Sequence, residues 1–283
     1  MSEAGIMLLA IYASRVLLQR QNRLRGLFDQ AAPSFLRFTG LPTSRAGGFI
    51  YPDLPMRRFF LNAANILTAL ILTGCAAAPR KPALRVADYQ GIIRVACVGD
   101  SITFGAGVEN RELNNYPAVL GRFLGPRFEV RNFGVSGATL LKKGDKPYWD
   151  EPAFKQVDEF APQVVILKLG TNDSKPQNWE HGSAFAGDLR DMLDHFSGLP
   201  SRPRIWLCLP VPVYETRWGI NEATVGGAII PIIEQVAKEK GIPTIDLHAA
   251  LSDRPEYFPD KIHPNAAGAG MMAITIFTAL KGR

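Results

Sequence analysis

From Gly91 onward, short apolar runs rich in Val and Ile alternate with longer segments of helical spacing, and this alternation narrows the chain to one kind of architecture. The runs are IIRVACVG (92–99), FEVRNFG (128–134), QVVILKLG (163–170), RIWLCLPV (204–211) and PTIDL (243–247). Segments 115–125, 151–161, 184–197, 220–240 and 264–281 have the length and spacing of helices. A strand with one wet face alternates apolar and polar residues, whereas these runs are apolar almost throughout, as strands covered on both faces are. The expectation is an α/β three-layer sandwich over residues 91–283, with a five-stranded, mostly parallel sheet between two helical layers. A sheet of this kind holds its ligand at the carboxyl ends of its strands. The residues just after each strand therefore carry the functional information.

The formal charge of +6 invites a polyanion as partner, but its distribution argues against one. Residues 1–80 hold nine Lys/Arg against three Asp/Glu, and residues 81–283 hold twenty-three of each. The expected domain is neutral and shows no basic footprint, so no nucleic-acid partner is expected. Cys97 and Cys208 lie in apolar strands and read as buried, unpaired thiols; no Cys/His spacing of the zinc type occurs.

Residues 56–75, MRRFFLNAANILTALILTGC, have the layout of a secretory signal: a basic start, a short apolar middle from Ile66 to Leu72, and small residues before a cut. The apolar stretch is too short to span a bilayer as a mature helix. The ending Leu72-Thr73-Gly74-Cys75 resembles the bacterial lipobox, which implies lipidation of Cys75, export, and a membrane anchor in the cell envelope. Residues 76–90 begin with AAAPRKPA, the composition of a tether. Residues 1–55 lack a clean period, and Arg15 and Arg20 interrupt their apolar stretch. Translation is expected to start at Met56, with residues 1–55 forming no domain; the alternative is a helix of a longer N-terminal region.

Four post-strand stretches carry chemistry. In GDSIT, Ser101 follows the first strand across a Gly99-Asp100 turn, where a serine is either a helix cap or an exposed hydroxyl. The glycine-rich sequel matches neither phosphate-binding pattern, G-x-x-x-x-G-K-[ST] or G-x-G-x-x-G. In NFGVSGAT, Gly137 reads either as a turn needing positive φ or as a backbone N–H that approaches a substrate closely. In GTND, Asn172 reads as a turn former or as an amide donor to a developing oxyanion, and Asp173 as a structural turn acceptor. In DKIHP, His263 is a base if Asp260 bonds one ring nitrogen and the other faces Ser101. His181, His195 and His248 are not spaced as partners in a metal site, so no metal is expected.

Together these stretches, in this order and on these strands, resemble the SGNH or GDSL hydrolase family across roughly residues 91–281. The resemblance implies a flavodoxin-like fold and a serine esterase that needs no cofactor. It implies Ser101 as nucleophile, His263 as base and Asp260 as its orienting acid. The oxyanion hole it implies is the backbone N–H of Ser101 and Gly137 with the side chain of Asn172.

The loops offer Lys175, Gln177, Asn178, Trp179, Tyr214 and Trp218, a set suited to bonding and stacking on a sugar, with Trp179 and Trp218 as the stacking residues. KLGTNDSKPQNW looks like the carbohydrate O-acetylesterase branch of the family. The expected substrate is a short acyl ester, an acetylated glycan. A lysophospholipase or thioesterase of the same fold is the alternative within enzymes, and a glycan-binding lipoprotein the alternative outside them.

Overall fold

The computed structural model describes residues 83–282. Residues 1–55, the segment 56–75 expected to be a signal and the start of the expected tether lie outside the described residues.

Five strands, β1 (Ile93–Gly99), β2 (Phe128–Gly134), β3 (Val164–Lys168), β4 (Arg204–Leu209) and β5 (Thr244–Asp246), form one sheet in the order β2-β1-β3-β4-β5, every pair parallel. Successive residues of a strand face opposite sides, and in β1, β3 and β4 both sides are buried, while the edge strands β2 and β5 keep exposed residues such as Arg131 and Thr244. Ala96, Val98, Val165 and Leu207 enter one core layer, while Val95, Cys97, Ile166 and Trp206 enter the other. The near-continuous apolar runs are thus two alternating faces, each with its own helical cover. Cys97 and Cys208 are free and buried in the second layer. Burial pushes the Cys208 thiol up to about 12, outweighing the nearby Lys168 charge, which pulls it down.

The helices that matter here are α1 (Ser101–Phe104), α2 (Tyr116–Leu124), α3 (Pro152–Phe160), α4 (Phe185–Ser197), α5 (Ile230–Lys240) and α6 (Ala266–Leu280). α3, α4 and α5 cover the first face through Val157, Phe160, Leu189, Phe196 and Val236. α2 and α6 cover the second through Leu120, Met272 and Ile276, and they meet each other through Phe123 and Phe277, whose ring centroids lie 5.9 Å apart.

Two boundaries differ from the sequence expectation. Residues 220–240 are not one helix: a short turn at Glu222–Thr224 passes through a π-helical turn at Val225–Ile229 before α5 begins. Pro231 has no N–H for an i→i−4 bond, and the two adjacent glycines, Gly226 and Gly227, add backbone freedom, so the ladder widens there. The tether also ends sooner than residue 90. Leu84 is buried and its N–H donates to Leu280 O at 2.7 Å, while Val86 and Tyr89 pack on the second core layer. The apolar side chains that proline and alanine obscured in the sequence pull residues 83–90 onto the domain.

The chain passes from β1 outward to β2 and then returns to the opposite side of β1 as β3. The crevice between the carboxyl ends of β1 and β3 is the switch point at which such sheets bind ligands. Ser101 follows the first of these strands and Asn172 the second.

Candidate active site

The turn after β1 resolves the two readings of Ser101. Asp100, not Ser101, caps α1: its Oδ1 accepts the Ile102 N–H at 2.9 Å. Ser101 is buried rather than exposed, but its hydroxyl is left for a partner elsewhere and lies 2.9 Å from Nε2 of His263. Gly99 makes the sharp exit possible, because a Cβ there would stand 2.5 Å from Lys168 O and 2.1 Å from Thr103 Oγ1.

His263 is reached from 162 residues along the chain, and its loop is heavily tied. Asp260 Oδ1 accepts the N–H of Ile262 at 2.9 Å and of His263 at 2.6 Å, and Oδ2 meets Nδ1 of the ring at 2.8 Å. Burial alone would raise the Asp260 pKa, but the His263 N–H, the His263 ring and the Ile262 N–H outweigh it and hold the carboxyl below its ordinary value. Lys261 sits at φ +71° in the middle of this turn. Its carbonyl accepts the Tyr214 N–H at 3.0 Å, and the Tyr214 hydroxyl accepts the Arg254 N–H at 3.0 Å and donates to Leu251 O. The post-β4 segment therefore clamps the loop that carries the histidine. Asn265, rather than Pro264, starts α6 by accepting the Gly268 N–H at 3.0 Å.

Two backbone donors are held open. Among the described residues, the N–H groups of Ser101 and Gly137 find no acceptor. Gly137 has φ +86°, which glycine alone adopts without strain. On the far side of the same peptide, Lys146 Nζ donates to Ser136 O at 3.1 Å, which opposes a flip of that N–H. Asn172 gives one amide hydrogen to Ala138 O at 3.1 Å, fixing the amide plane and leaving its second hydrogen available.

Asp173 proves to be the structural acceptor the sequence suggested: its two oxygens take the N–H groups of Leu140 and Leu141 at 3.1 and 2.8 Å. Burial pushes its pKa up to about 7 despite those two donors. A carboxyl titrating higher in the folded than in the unfolded state adds stability that is fully present below about pH 4 and lost as pH rises through about 7. Denaturation of wild type and Asp173→Asn from pH 4 to 8 is therefore expected to show the wild-type lead narrowing with pH. A constant gap would mean that Asp173 stays ionised throughout.

Most of the residues read from the sequence as sugar contacts are otherwise engaged. Lys175, Gln177 and Asn178 all donate to Asp145, at 3.2, 3.3 and 3.0 Å, and Asn178 also donates to Asn172 O at 2.8 Å. They brace the Asn172 turn. Trp179 is half-buried, with its ring over Gly182 and 5.8 Å from Phe185, so it packs against the first core layer. Tyr214 is the clamp already described. Trp218 differs from these: it is 62% exposed, with its ring centroid 5.8 Å from that of His263. The other histidines pair with carboxylates elsewhere, His195 with Asp158 and His248 with Glu222.

One residue of the site was passed over in the sequence. Lys168, the last residue of β3, is wholly buried, and its Nζ donates to Asp100 Oδ1 and Oδ2 at 3.0 and 2.9 Å and to Thr171 Oγ1 at 2.9 Å. The signal was present: a lysine inside QVVILKLG, on a strand covered on both faces, requires a buried carboxylate.

Comparison with known proteins gives the chain a family. Residues 97–271 match the family described as GDSL-like Lipase/Acylhydrolase. The chain is 44% identical over 213 residues to an acetylxylan esterase of Xylanibacter ruminicola, an alignment covering 69% of this chain and 44% of the relative. It is 22% identical over 237 residues to a multidomain esterase of Ruminococcus flavefaciens, covering 71% of this chain and 30% of the relative. The chain thus spans less than half the length of each of these relatives. Among solved structures, an M. smegmatis aryl esterase superposes with a TM-score of 0.54 at 19% identity, covering 66% of this chain and 97% of the other. A carbohydrate acetylesterase family member from Sinorhizobium meliloti gives 0.53 at 18%, covering 67% and 99%. At such identities the likeness speaks to the fold alone. The family match spans more than half of the chain and takes in all four motif-bearing turns that the sheet gathers at one edge, so the chain belongs to the GDSL-like lipase/acylhydrolase family.

Proposed function

We propose that this chain is a serine esterase that removes acetyl groups from a carbohydrate through an acyl-serine intermediate. The observation that carries the proposal is the relay Asp260–His263–Ser101, with contacts of 2.8 and 2.9 Å, beside the Ser101 and Gly137 N–H groups, which find no acceptor among the described residues. Ser101 Oγ attacks the ester carbonyl while His263 Nε2 takes its proton, and Asp260 holds the ring with hydrogen on Nδ1. The oxyanion forms against the N–H groups of Ser101 and Gly137 and the Asn172 amide. His263 then returns the proton to the departing alcohol, and water enters by the same base to release acetate.

The alcohol must depart on the histidine side, because that is where its proton comes from. Trp218 is the exposed aromatic on that side, and its face suits the apolar face of a sugar ring. The similarity to an acetylxylan esterase supports a sugar there. The acyl series tests the reading. kcat/KM is expected to fall from acetyl through butyryl to octanoyl on one common alcohol. Trp218→Ala is expected to raise KM for an acetylated xylo-oligosaccharide by about tenfold, the worth of one stacking contact, with little change for 4-nitrophenyl acetate. A steady rise towards octanoyl would instead favour a lysophospholipase or thioesterase, since each buried methylene adds about 0.8 kcal/mol.

Export with a lipid on Cys75 belongs to the same proposal and rests on the sequence of residues 56–75. Expressed from Met56 in a bacterial host, the protein is expected in the membrane fraction, and Cys75→Ser is expected to release it. Expression from the whole 283-residue reading frame and mass measurement of the mature N-terminus decide the point: a mature chain retaining residues 1–55 is incompatible with it.

A further inference from the structure

We propose that Lys168 is a positioning residue that holds the Ser101 turn and the Asn172 turn in register, and so sets the shape of the oxyanion hole. The inference rests on the esterase reading of the site. The β1–β3 ladder ends at the pair Gly99 and Lys168, and beyond it the two chains diverge into separate turns. Among the described residues, no backbone hydrogen bond joins the turn at 100–104 to the turn at 169–173. The link between them runs through a single ammonium. Its contacts reach both oxygens of Asp100, next to Ser101, and the hydroxyl of Thr171, next to Asn172. Three donors meet three acceptors, so the group is fully satisfied while completely buried.

A buried ion pair is a poor source of stability, because desolvation cancels most of the attraction and an apolar pair of equal volume does as well. What the ion pair adds here is direction. Asp100 also caps α1, so the carboxylate that fixes where Ser101 and its N–H point is the one fixed by Lys168. An oxyanion donor acts only at the correct distance, and a displacement of about 1 Å can cost on the order of 10²-fold in rate.

The mildest test is Thr171→Val, which keeps the volume and cuts only the tie to the Asn172 turn. With 4-nitrophenyl acetate as substrate, kcat is expected to fall about tenfold with KM within about threefold. The neutral pair Asp100→Asn/Lys168→Met removes both charges together, which avoids a stranded buried ion, and is expected to lose about 10²-fold in kcat. In an Asn172→Ala background, Thr171→Val is expected to cost less than about threefold, because the donor it positions is gone. A merely structural role would lower the melting temperature and leave kcat of the folded enzyme unchanged. Wild-type kcat in folded Thr171→Val, or a loss fully additive with Asn172→Ala, overturns the inference. If Ser101→Ala is inactive while these variants turn over normally, the inference alone fails. If Ser101→Ala is active, the esterase reading fails and the inference with it.

Discussion

Ser101→Ala and His263→Ala are each expected to bring turnover of 4-nitrophenyl acetate down to background, a loss on the order of 10⁵- to 10⁶-fold, with melting temperatures close to wild type. The two losses are alike because nucleophile and base act as a unit: without either, no proton leaves the hydroxyl as the C–O bond forms. The fold is spared for reasons visible in the contacts. The cap of α1 is Asp100, so deleting the serine hydroxyl removes only its contact to Nε2. The loop at Asp260–His263 is held by the Asp260 carboxylate on backbone N–H groups and by Tyr214 on Lys261, neither of which needs the imidazole ring. Steady-state kinetics beside thermal melts check both halves. Turnover above a tenth of wild type in either variant would remove that residue from its role.

The sheet was legible because burial on both faces leaves a strong mark: the central strands β1, β3 and β4 are apolar runs without alternation between helical segments, whereas the edge strands β2 and β5 carry polar residues and leave a weaker one. The site was legible because chemistry needs particular residues at strand ends, and Ser101, Gly137, Asn172 and the Asp260–His263 pair each stand directly after a strand or in the last loop. What the sequence obscured was how polar side chains divide between substrate and scaffold. Lys175, Gln177 and Asn178 look like sugar ligands when written in a row. In the fold a single carboxylate, Asp145, collects them, and the first-listed residue in that row is 30 positions from its partner. Trp179 ends a short helical turn at Pro176–Trp179 and Trp218 sits in a turn after β4, yet in the sequence the two look alike. Gly182 opens room beneath one ring, and a positive φ of 51° turns the backbone at the other. The pairing of Lys168 was hidden for the same reason, since its carboxylate lies 68 residues earlier, in the turn that follows the neighbouring strand.

Asp260→Asn is expected to be milder, with kcat lower by about 10³- to 10⁴-fold, and it separates holding the loop from orienting the base. The asparagine oxygen can still accept the N–H groups of Ile262 and His263, so the turn and the melting temperature near neutral pH should survive. The amide nitrogen now faces Nδ1 and can only donate. It selects the tautomer with hydrogen on Nε2, which points a donor rather than a lone pair at Ser101. A neutral amide also fails to stabilise the imidazolium that forms as the serine attacks. The loss should therefore fall on kcat, with KM within a few-fold. Acid stability gives a second readout. The folded Asp260 carboxyl lies below its ordinary pKa, so its contribution is present above the usual carboxylate range and is lost as pH falls through the lowered value. The variant, having no such carboxyl, should lose less stability than wild type on acidification. Wild-type turnover in Asp260→Asn would show that some other group orients His263. A collapse in melting temperature would show that the carboxylate's charge is needed to hold the loop as well as the ring.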